Sequence, residues 1–310
     1  MPIKTRKSDP SKPPRVMIYG VEGVGKSTLG AMAEKPIFIT PEGGADQLKD
    51  SKGNPIEEFE NVRDWDSLER AVAQLTNEEH GFKTLVLDSA DWIEGLAHKK
   101  IIGNSGKDII RCNGGYGSGY RDSQRMHTAL ISDLSRLRSE KGMNIIVTAH
   151  SHVKPVKDPD ATEDYDCHEI KCHEMVSSLW REWVDALLFA RFRAHITSGE
   201  PGKKARAFGD GTRVVYTIKS PAFQAKNRYG MEPEYEFTLD FWNTILKFSK
   251  KGVVEESAES LLKEIGDAKA LIKDEKLFQT ISESVSKAKV DPKKLKPILN
   301  RLREITGAMQ

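Results

Sequence analysis

One stretch of this chain, GVEGVGKST at residues 20–28, combines glycines, a lysine and two hydroxyl side chains at a spacing suited to binding polyphosphate. It fits the pattern G-x-x-x-x-G-K-[ST] without a mismatch and follows an apolar run at residues 16–19, which predicts a strand, a loop and a helix opening at Lys26. Glycines let the backbone wrap an anion, and the first amides of the helix point at the same place. The motif predicts a nucleoside triphosphate site formed by Gly20, Gly23, Val24, Gly25, Lys26, Ser27 and Thr28.

Two residues of this loop are expected to have separate roles, and a third residue should join them. The Lys26 ammonium would reach the β- and γ-phosphates, and the Ser27 hydroxyl would be a ligand of Mg²⁺. In such sites a carboxylate at the end of an apolar strand commonly binds the same Mg²⁺ ion, and residues 84–88, TLVLD, have this form. We therefore expect ATP and Mg²⁺ as cofactors, with Asp88 as the second metal residue.

Two more polar side chains follow apolar runs that predict buried strands. Glu42 comes just after residues 37–40. This strand is expected beside the strand at residues 16–19 that leads into the phosphate-binding loop, or P-loop, and a carboxylate there could orient the attacking water. His150 is expected at the carboxyl end of a strand over residues 144–150, where it could donate to the γ-phosphate and report its loss to the next loop. The alternatives are a surface glutamate and a structural histidine.

The composition changes sharply over residues 103–125, where glycines, tyrosines and cations are mixed. Tyrosine faces can stack on bases and arginines can pair with phosphates, so this loop is a candidate contact for single-stranded DNA. A flexible lid or a contact within an oligomer is the alternative. A long polar loop, residues 151–165, follows His150 and adds two lysines. The candidate nucleic-acid residues are Arg111, Tyr116, Tyr120, Arg121, Lys154 and Lys157.

Two further groups allow more than one interpretation. Residues 167–174, CHEIKCHE, invite a zinc interpretation, but the like residues are five apart on a predicted helix continuing to Trp183, which does not bring them to one face. Metal binding by Cys167, His168, Cys172 and His173 stays open. Lys226 and Arg228 lie in a loop before a predicted strand, residues 234–239. They could reach a γ-phosphate held by a neighbouring subunit, or form an exposed polar loop.

Bulk composition sets the remaining limits. The 310 residues carry 48 Lys and Arg against 46 Asp and Glu, a net charge of +2, so a nucleic-acid partner must be recognised by local patches. Three cysteines suit a reducing cytoplasm, and no apolar run approaches the roughly 20 residues of a membrane helix. We expect a basic disordered tail at 1–14, an α/β core at 15–250 and a helical appendage at 251–310 that contacts DNA or a partner protein.

The ordered motifs resemble a known family. The sequence of P-loop, Glu42 after the second strand, Asp88-Ser89 after the third and a polar residue after the fourth is similar to RecA-type ATPases. The segments GVEGVGKST, PEGG, LVLDSADW, GGYGSGY, VTAHSH, WREWVDALLF and AKNRYGM together resemble phage-encoded P-loop ATPases of the RecA-core group, over residues 15–239.

That resemblance implies a RecA-like α/β fold with a central, mostly parallel sheet flanked by helices. It implies Lys26, Ser27 and Asp88 as nucleotide and Mg²⁺ residues, Glu42 as the base that orients water and His150 as the sensor. The implied function is an ATPase acting on single-stranded DNA in phage recombination or replication, of the single-strand annealing type. A homo-oligomer is expected, whether ring or filament, and the C-terminal helices could meet a single-strand-binding or other replication protein. A nucleotide-gated interaction protein without a DNA role is the main alternative, and a small-molecule phosphotransferase is a third.

Overall fold

The computed structural model describes residues 11–157, 163–193, 195–197, 206–250 and 275–287, together with residues 5, 9, 262, 265, 266, 295, 297 and 298. The chain divides into two compact units, Met1–Ser249 and Lys250–Gln310. Most of the expected basic tail at 1–14 lies outside the described residues, as do residues 158–162 of the loop after His150.

A sheet of ten described strands forms the centre of the first unit. Six strands run parallel: β1 Arg15–Gly20, β2 Pro36–Ile39, β3 Glu57–Glu58, β4 Thr84–Leu87, β5 Asn144–Val156 and β7 Ala186–Phe192. Four are antiparallel to their partners: β6 Tyr165–Ile170, β10 Arg213–Tyr216, β11 Lys226–Asn227 and β12 Glu234–Glu236. The main strand order is β12-β10-β7-β1-β5-β4-β2-β3, with β6 on β5 and β11 on β7. Strands β8 His195–Thr197 and β9 Arg206–Phe208 form a separate hairpin.

Helices cover both faces of this sheet, which explains why the parallel strands β1, β2, β4 and β7 are mostly apolar and buried. The helices of the first unit are α1 Lys26–Ala31, α2 Trp65–Asn77, α3 Ala90–Ile102, α4 Ser118–Lys141, α5 Glu174–Trp183 and α6 Phe241–Ser249. In β1, Met17 and Tyr19 pack with α2, α3, α4 and α5, whereas Val16 and Ile18 pack with α1 and α6. The predicted α/β fold with a mostly parallel sheet flanked by helices is confirmed. In the second unit the structure describes helix α7, Glu275–Lys287.

Helix α2 shows how closely local sequence sets an element. The Asp64 carboxylate accepts from the Ser67 amide at 2.7 Å, and the Ser67 hydroxyl oxygen accepts from the Asp64 amide at 3.2 Å. This reciprocal cap satisfies amides that the first turn leaves unpaired. Its apolar stripe, with Trp65 and Leu68 buried, packs on the sheet. Local sequence therefore sets both the start of α2 and the face that it buries.

Two predicted boundaries are wrong. Strand β5 does not end at His150 but continues to Val156, because residues 151–156 pair antiparallel with β6. For the same reason residues 167–170 are strand, and the predicted helix begins only at Glu174. Long-range pairing decides these segments, and local periodicity does not record it.

Candidate functional site

The P-loop begins where β1 ends, at a point of very close backbone packing. Gly20 is paired with His150 of β5 on one side and with Ala190 of β7 on the other. A β-carbon placed on Gly20 would lie 1.9 Å from the Ala190 carbonyl oxygen, so only glycine fits here. Gly25 caps α1 in a left-handed conformation with φ of 103°. The next residues, Lys26, Ser27 and Thr28, form the first turn of α1, and Val24 is fully buried beneath the loop.

Lys26 is buried and folded back onto the loop. Its ammonium donates to the carbonyl oxygens of Gly20 at 3.1 Å and Val21 at 2.8 Å. Burial lowers the pKa of Lys26, and the nearby carboxylates of Asp88 and Glu22 act against that shift. A desolvated cation held only by neutral carbonyl oxygens at a helix N-terminus is well placed to exchange them for an anionic phosphate.

Asp88 lies at the carboxyl end of β4, as predicted. Leu87 is level with Val147 of β5, which brings Asp88 beside Thr148, and the Thr148 hydroxyl donates to the Asp88 carboxylate. Strand β5 separates β4 from β1 in the sheet. Asp88 nevertheless exerts the largest carboxylate influence on Lys26. The two residues therefore share one electrostatic environment at the same edge of the sheet.

His150 has a partner that the sequence analysis missed, Asp91 of α3. One Asp91 oxygen accepts from the His150 amide at 3.1 Å, and the other pairs with His150 Nδ1 at 2.9 Å. The bond to Asp91 raises the pKa of His150, while hydrogen bonds from His150 are the main force lowering the pKa of Asp91 against burial. Because Nδ1 is committed to Asp91, the other ring nitrogen, Nε2, is the one left for a ligand. The signal was the second aspartate in DSAD, three residues after Asp88 and in the first turn of α3.

Glu42 lies farther from β1 than predicted. The expectation that its strand lies beside the P-loop strand is wrong, because β5 and β4 separate β2 from β1. Glu42 is exposed and follows β2 on the same edge, and its charge influences both Lys26 and His150. A cavity of about 420 Å³ opens beside it, with Trp92 and Lys99 in its wall. The role of Glu42 as the base that orients water stays a prediction.

Helix α3 carries three polar side chains, Asp91, Glu94 and His98, that we call the α3 polar face. Glu94 is only 7% exposed, and its carboxylate accepts from the His173 amide at 3.0 and 3.1 Å. Burial raises the pKa of Glu94 to about 7. The His173 ring stacks on Tyr120 with centroids 3.8 Å apart, and Tyr120 meets His98 edge-on at 5.8 Å. This face therefore runs from the His150 contact to the start of α4.

The candidate DNA residues separate into two groups. Tyr116 is 97% exposed in the loop before α4, and Arg111 in the same loop is also exposed. Tyr120 and Arg121 are not in that loop, although the prediction for residues 103–125 placed them there, because α4 begins at Ser118. One face of the Tyr120 ring is already covered by His173, so its predicted stacking on a base is not available on that face.

The two candidate lysines are also placed differently from the prediction. Lys154 lies on β5 rather than in a loop, 3.9 Å from Glu169 and 3.6 Å from Glu174. Lys157 is exposed just after β5. Cys167 and His168 lie on β6, whereas Cys172 and His173 follow it. Within the described ranges, no three His, Cys, Asp or Glu side chains are grouped to hold a metal ion.

Lys226 and Arg228 lie at the opposite edge of the sheet from the P-loop. Lys226 pairs with Leu187 near the start of β7, and its ammonium donates to two carbonyl oxygens at the end of α5, at 2.8 and 2.9 Å. Arg228 approaches Asp185 at 3.3 Å. They therefore do not reach the P-loop of their own chain, and their predicted action on a neighbouring subunit stays a prediction.

The fold and this edge define a P-loop nucleotide-binding protein: strand, glycine loop and helix N-terminus, with a lysine and an aspartate converging on them. The AAA domain family matches residues 12–229 of the 310 residues, and the chain belongs to that family of P-loop ATPases. A comparison with curated proteins gives no significant match.

Solved structures with a similar fold include the crystal structure of the RadB recombinase. It is 16% identical with a TM-score of 0.39, over 74% of this chain and 89% of that chain. A similarity at that level does not identify an activity. In the part of the chain that the structure describes, none of the helices has the length and apolar character needed to cross a membrane.

Proposed function

We propose that this protein binds and hydrolyses ATP with Mg²⁺, and that the nucleotide state controls its hold on single-stranded DNA. Phage recombination or replication in the host cytoplasm is the proposed setting, on the strength of the motif resemblance. The observation that carries the proposal is the convergence of Lys26, Asp88 and the His150–Asp91 pair at one edge of the sheet. Membership of the AAA domain family supports the nucleotide part.

The residues at this edge fit a metal-bound triphosphate. The loop amides and Lys26 would hold the phosphates, and Ser27 with Asp88 would hold the Mg²⁺ ion. Asp88 accepts one hydroxyl hydrogen bond from Thr148, which leaves carboxylate lone pairs for a cation. The ion, when bound, supplies charge neutralisation at the phosphates. Glu42 would orient the attacking water, because its exposed carboxylate lies in the field of Lys26 and His150.

His150 would distinguish ATP from the product state. Asp91 holds Nδ1 and the backbone amide of His150, so the ring is oriented by two contacts. With Nδ1 occupied, Nε2 can donate to the γ-phosphate, and the raised pKa favours the charged ring that donates best. Loss of the γ-phosphate would remove that bond and leave the Asp91 contact alone.

The α3 polar face offers a physical route from this sensor to the DNA contacts. Asp91 and Glu94 are one helical turn apart, and Glu94 fixes the amide of His173, whose ring stacks on Tyr120. A shift of α3 would therefore move the start of α4 and the adjoining Tyr116 loop. Coupling through α3 requires that nucleotide at His150 and DNA at the Tyr116 loop favour the same position of the helix. The experiment below measures this coupling as the effect of ATP on DNA affinity.

The Tyr116 loop would form the DNA contact. An almost fully exposed tyrosine beside glycines and Arg111 suits base stacking and phosphate pairing without sequence preference. Arg121, Lys154 and Lys157 would add charge, so binding should weaken steeply as salt rises. The C-terminal unit is proposed to meet a single-strand-binding or other replication protein.

An oligomer would complete the nucleotide site. Lys226 and Arg228 lie at the amino edge of the sheet and the P-loop lies at the carboxyl edge. A head-to-tail arrangement would present the amino edge of one subunit to the P-loop of the next, and a heterologous contact of this kind closes into a ring or extends into a filament.

Fluorescence anisotropy with a labelled oligonucleotide, with and without ATP, tests the proposal. We expect salt-sensitive binding that ATP strengthens and that Lys26→Ala makes insensitive to ATP. Tyr116→Ala should weaken binding by about 1–3 kcal/mol while ATP binding is retained. Leu239→Ala, which removes another exposed apolar side chain, is the control. Absence of salt-sensitive binding in both states would instead favour the nucleotide-gated interaction protein.

A further inference from the structure

An arginine distant in sequence lies directly against the P-loop. A β-carbon placed on Gly25 would be 2.9 Å from a guanidinium nitrogen of Arg213 and 3.9 Å from its central carbon. The space that a side chain at Gly25 would fill is therefore taken by the guanidinium. The same group lies over the Phe237 ring, 6.0 Å from its centroid, and this cation–π contact helps to hold it beside the loop.

The sheet register explains why Arg213 reaches this point. Arg213 opens β10 and pairs with Phe192 at the end of β7. Two residues earlier on β7, Ala190 pairs with Gly20, where the P-loop begins. Arg213 therefore lies at the nucleotide edge on the β7 flank of β1. Asp88 and His150 lie on the opposite flank, towards β5 and β4.

Among the described residues, no carboxylate pairs with Arg213, and its contact partner is the face of the Phe237 ring. Its neighbour Arg193, by contrast, is paired with Glu234 of β12. An arginine without an acidic partner beside an anion cradle is suited to bind the anion itself, because the guanidinium fork matches phosphate oxygens.

We propose that Arg213 binds the nucleotide of its own chain through the phosphates that ATP and ADP share. This inference rests on the proposed function. The loop amides next to Gly25 and the α1 N-terminus would hold the α- and β-phosphates, and Lys26, Asp88 and His150 would be the residues near the γ-phosphate. Arg213 lies against Gly25 on the β7 flank of β1, so it would contact the α- and β-phosphates. Arg213 would thus set affinity for both nucleotides, and His150 would set the preference between them.

Titrations of the purified full chain with ATP, ADP and inorganic tripolyphosphate test this assignment. Arg213→Gln should weaken all three by the same factor, roughly ten-fold to a hundred-fold, the usual loss for one charge-assisted hydrogen bond. Arg193→Gln is the matched control, because it removes a neighbouring arginine whose partner is Glu234. Wild-type affinity for ADP in Arg213→Gln would overturn the assignment, and so would a loss for ATP and ADP but not for tripolyphosphate.

Two measurements keep this test separate from other causes. The melting temperature without nucleotide should be the same for Arg213→Gln and the wild type. A lower melting temperature of the variant, large enough to explain its weaker nucleotide binding, would mean that Arg213 stabilises the loop structure, and it would overturn the proposal. If the glutamine variant does not fold, Arg213→Met keeps the stem over Phe237 and gives the same readout. If the wild type binds none of the three ligands, the proposed function itself fails.

Discussion

Replacing Glu94 with glutamine should change the pH dependence of stability in a defined direction. Burial raises the pKa of Glu94 from 4.5 to about 7, so folding favours its protonated form. A group of this kind contributes stability fully below pH 4.5, and the contribution is lost as the pH rises through about 7. Glutamine is neutral throughout and keeps an oxygen that can accept from the His173 amide.

The expected magnitude follows from the same values. The difference between 4.5 and about 7 corresponds to about 3 kcal/mol, at 1.36 kcal/mol per unit of pKa. The wild type should therefore lose about 3 kcal/mol more free energy of unfolding between pH 4 and pH 8 than Glu94→Gln does. Burial is the cause of the raised Glu94 pKa, because Glu94 is 7% exposed. Among the described residues, His98 is the ion-pair candidate for Glu94, and burial lowers the pKa of His98.

Urea unfolding of both proteins across this pH range gives the free energies directly. His98 and His173 are present in both proteins, so the difference between them isolates the Glu94 carboxyl. Glu140→Gln, at an exposed position of α4, is the control and should follow the wild type. Parallel pH profiles for Glu94→Gln and the wild type would refute the reasoning, because the carboxyl would then titrate in the folded protein as it does in the unfolded chain.

Four other changes have expected outcomes. Asp91→Asn should lower the pKa of His150, measured by NMR titration of the ring, and reduce the preference for ATP over ADP; an unchanged pKa would contradict the pairing. Asp64→Ala should cost about 1 kcal/mol in urea unfolding because the α2 cap is lost, and a neutral result would contradict the cap. Gly30→Ala should destabilise by about 1–3 kcal/mol because the added carbon would lie 2.7 Å from a Val86 methyl. Gly95→Ala, in open space on α3, should instead stabilise slightly by helix propensity.

The elements that sequence predicts well here are those whose determinants are local. The P-loop, the β4 strand that ends before Asp88 and the Asp64-capped helix α2 each carry their signal within a few residues. Apolar runs predicted the central parallel strands, because strands covered on both faces are largely apolar, whereas the short strand β3, Glu57–Glu58, has no such run. These features were enough to predict the fold class and the places of the P-loop and Asp88 in it.

What the sequence did not reveal depends on contacts between distant segments. Strand order placed β5 and β4 between β1 and β2, and no local pattern specifies that order. Asp91 and Arg213 belong to no part of the P-loop motif, and each reaches the site through the register of a strand or a helix. Tyr120 was predicted as a free stacking surface, but its ring face is covered by His173, which lies more than fifty residues later in the chain.

The central claim, that these edge residues form an ATP-hydrolysing site, is tested most directly by measuring phosphate release from ATP with Mg²⁺, with and without single-stranded oligonucleotide. The account predicts release by the wild type that the oligonucleotide changes. It predicts that Lys26→Ala and Asp88→Asn release little or none while keeping the wild-type melting temperature without nucleotide. Phosphate release in the wild type no faster than in Lys26→Ala would contradict it.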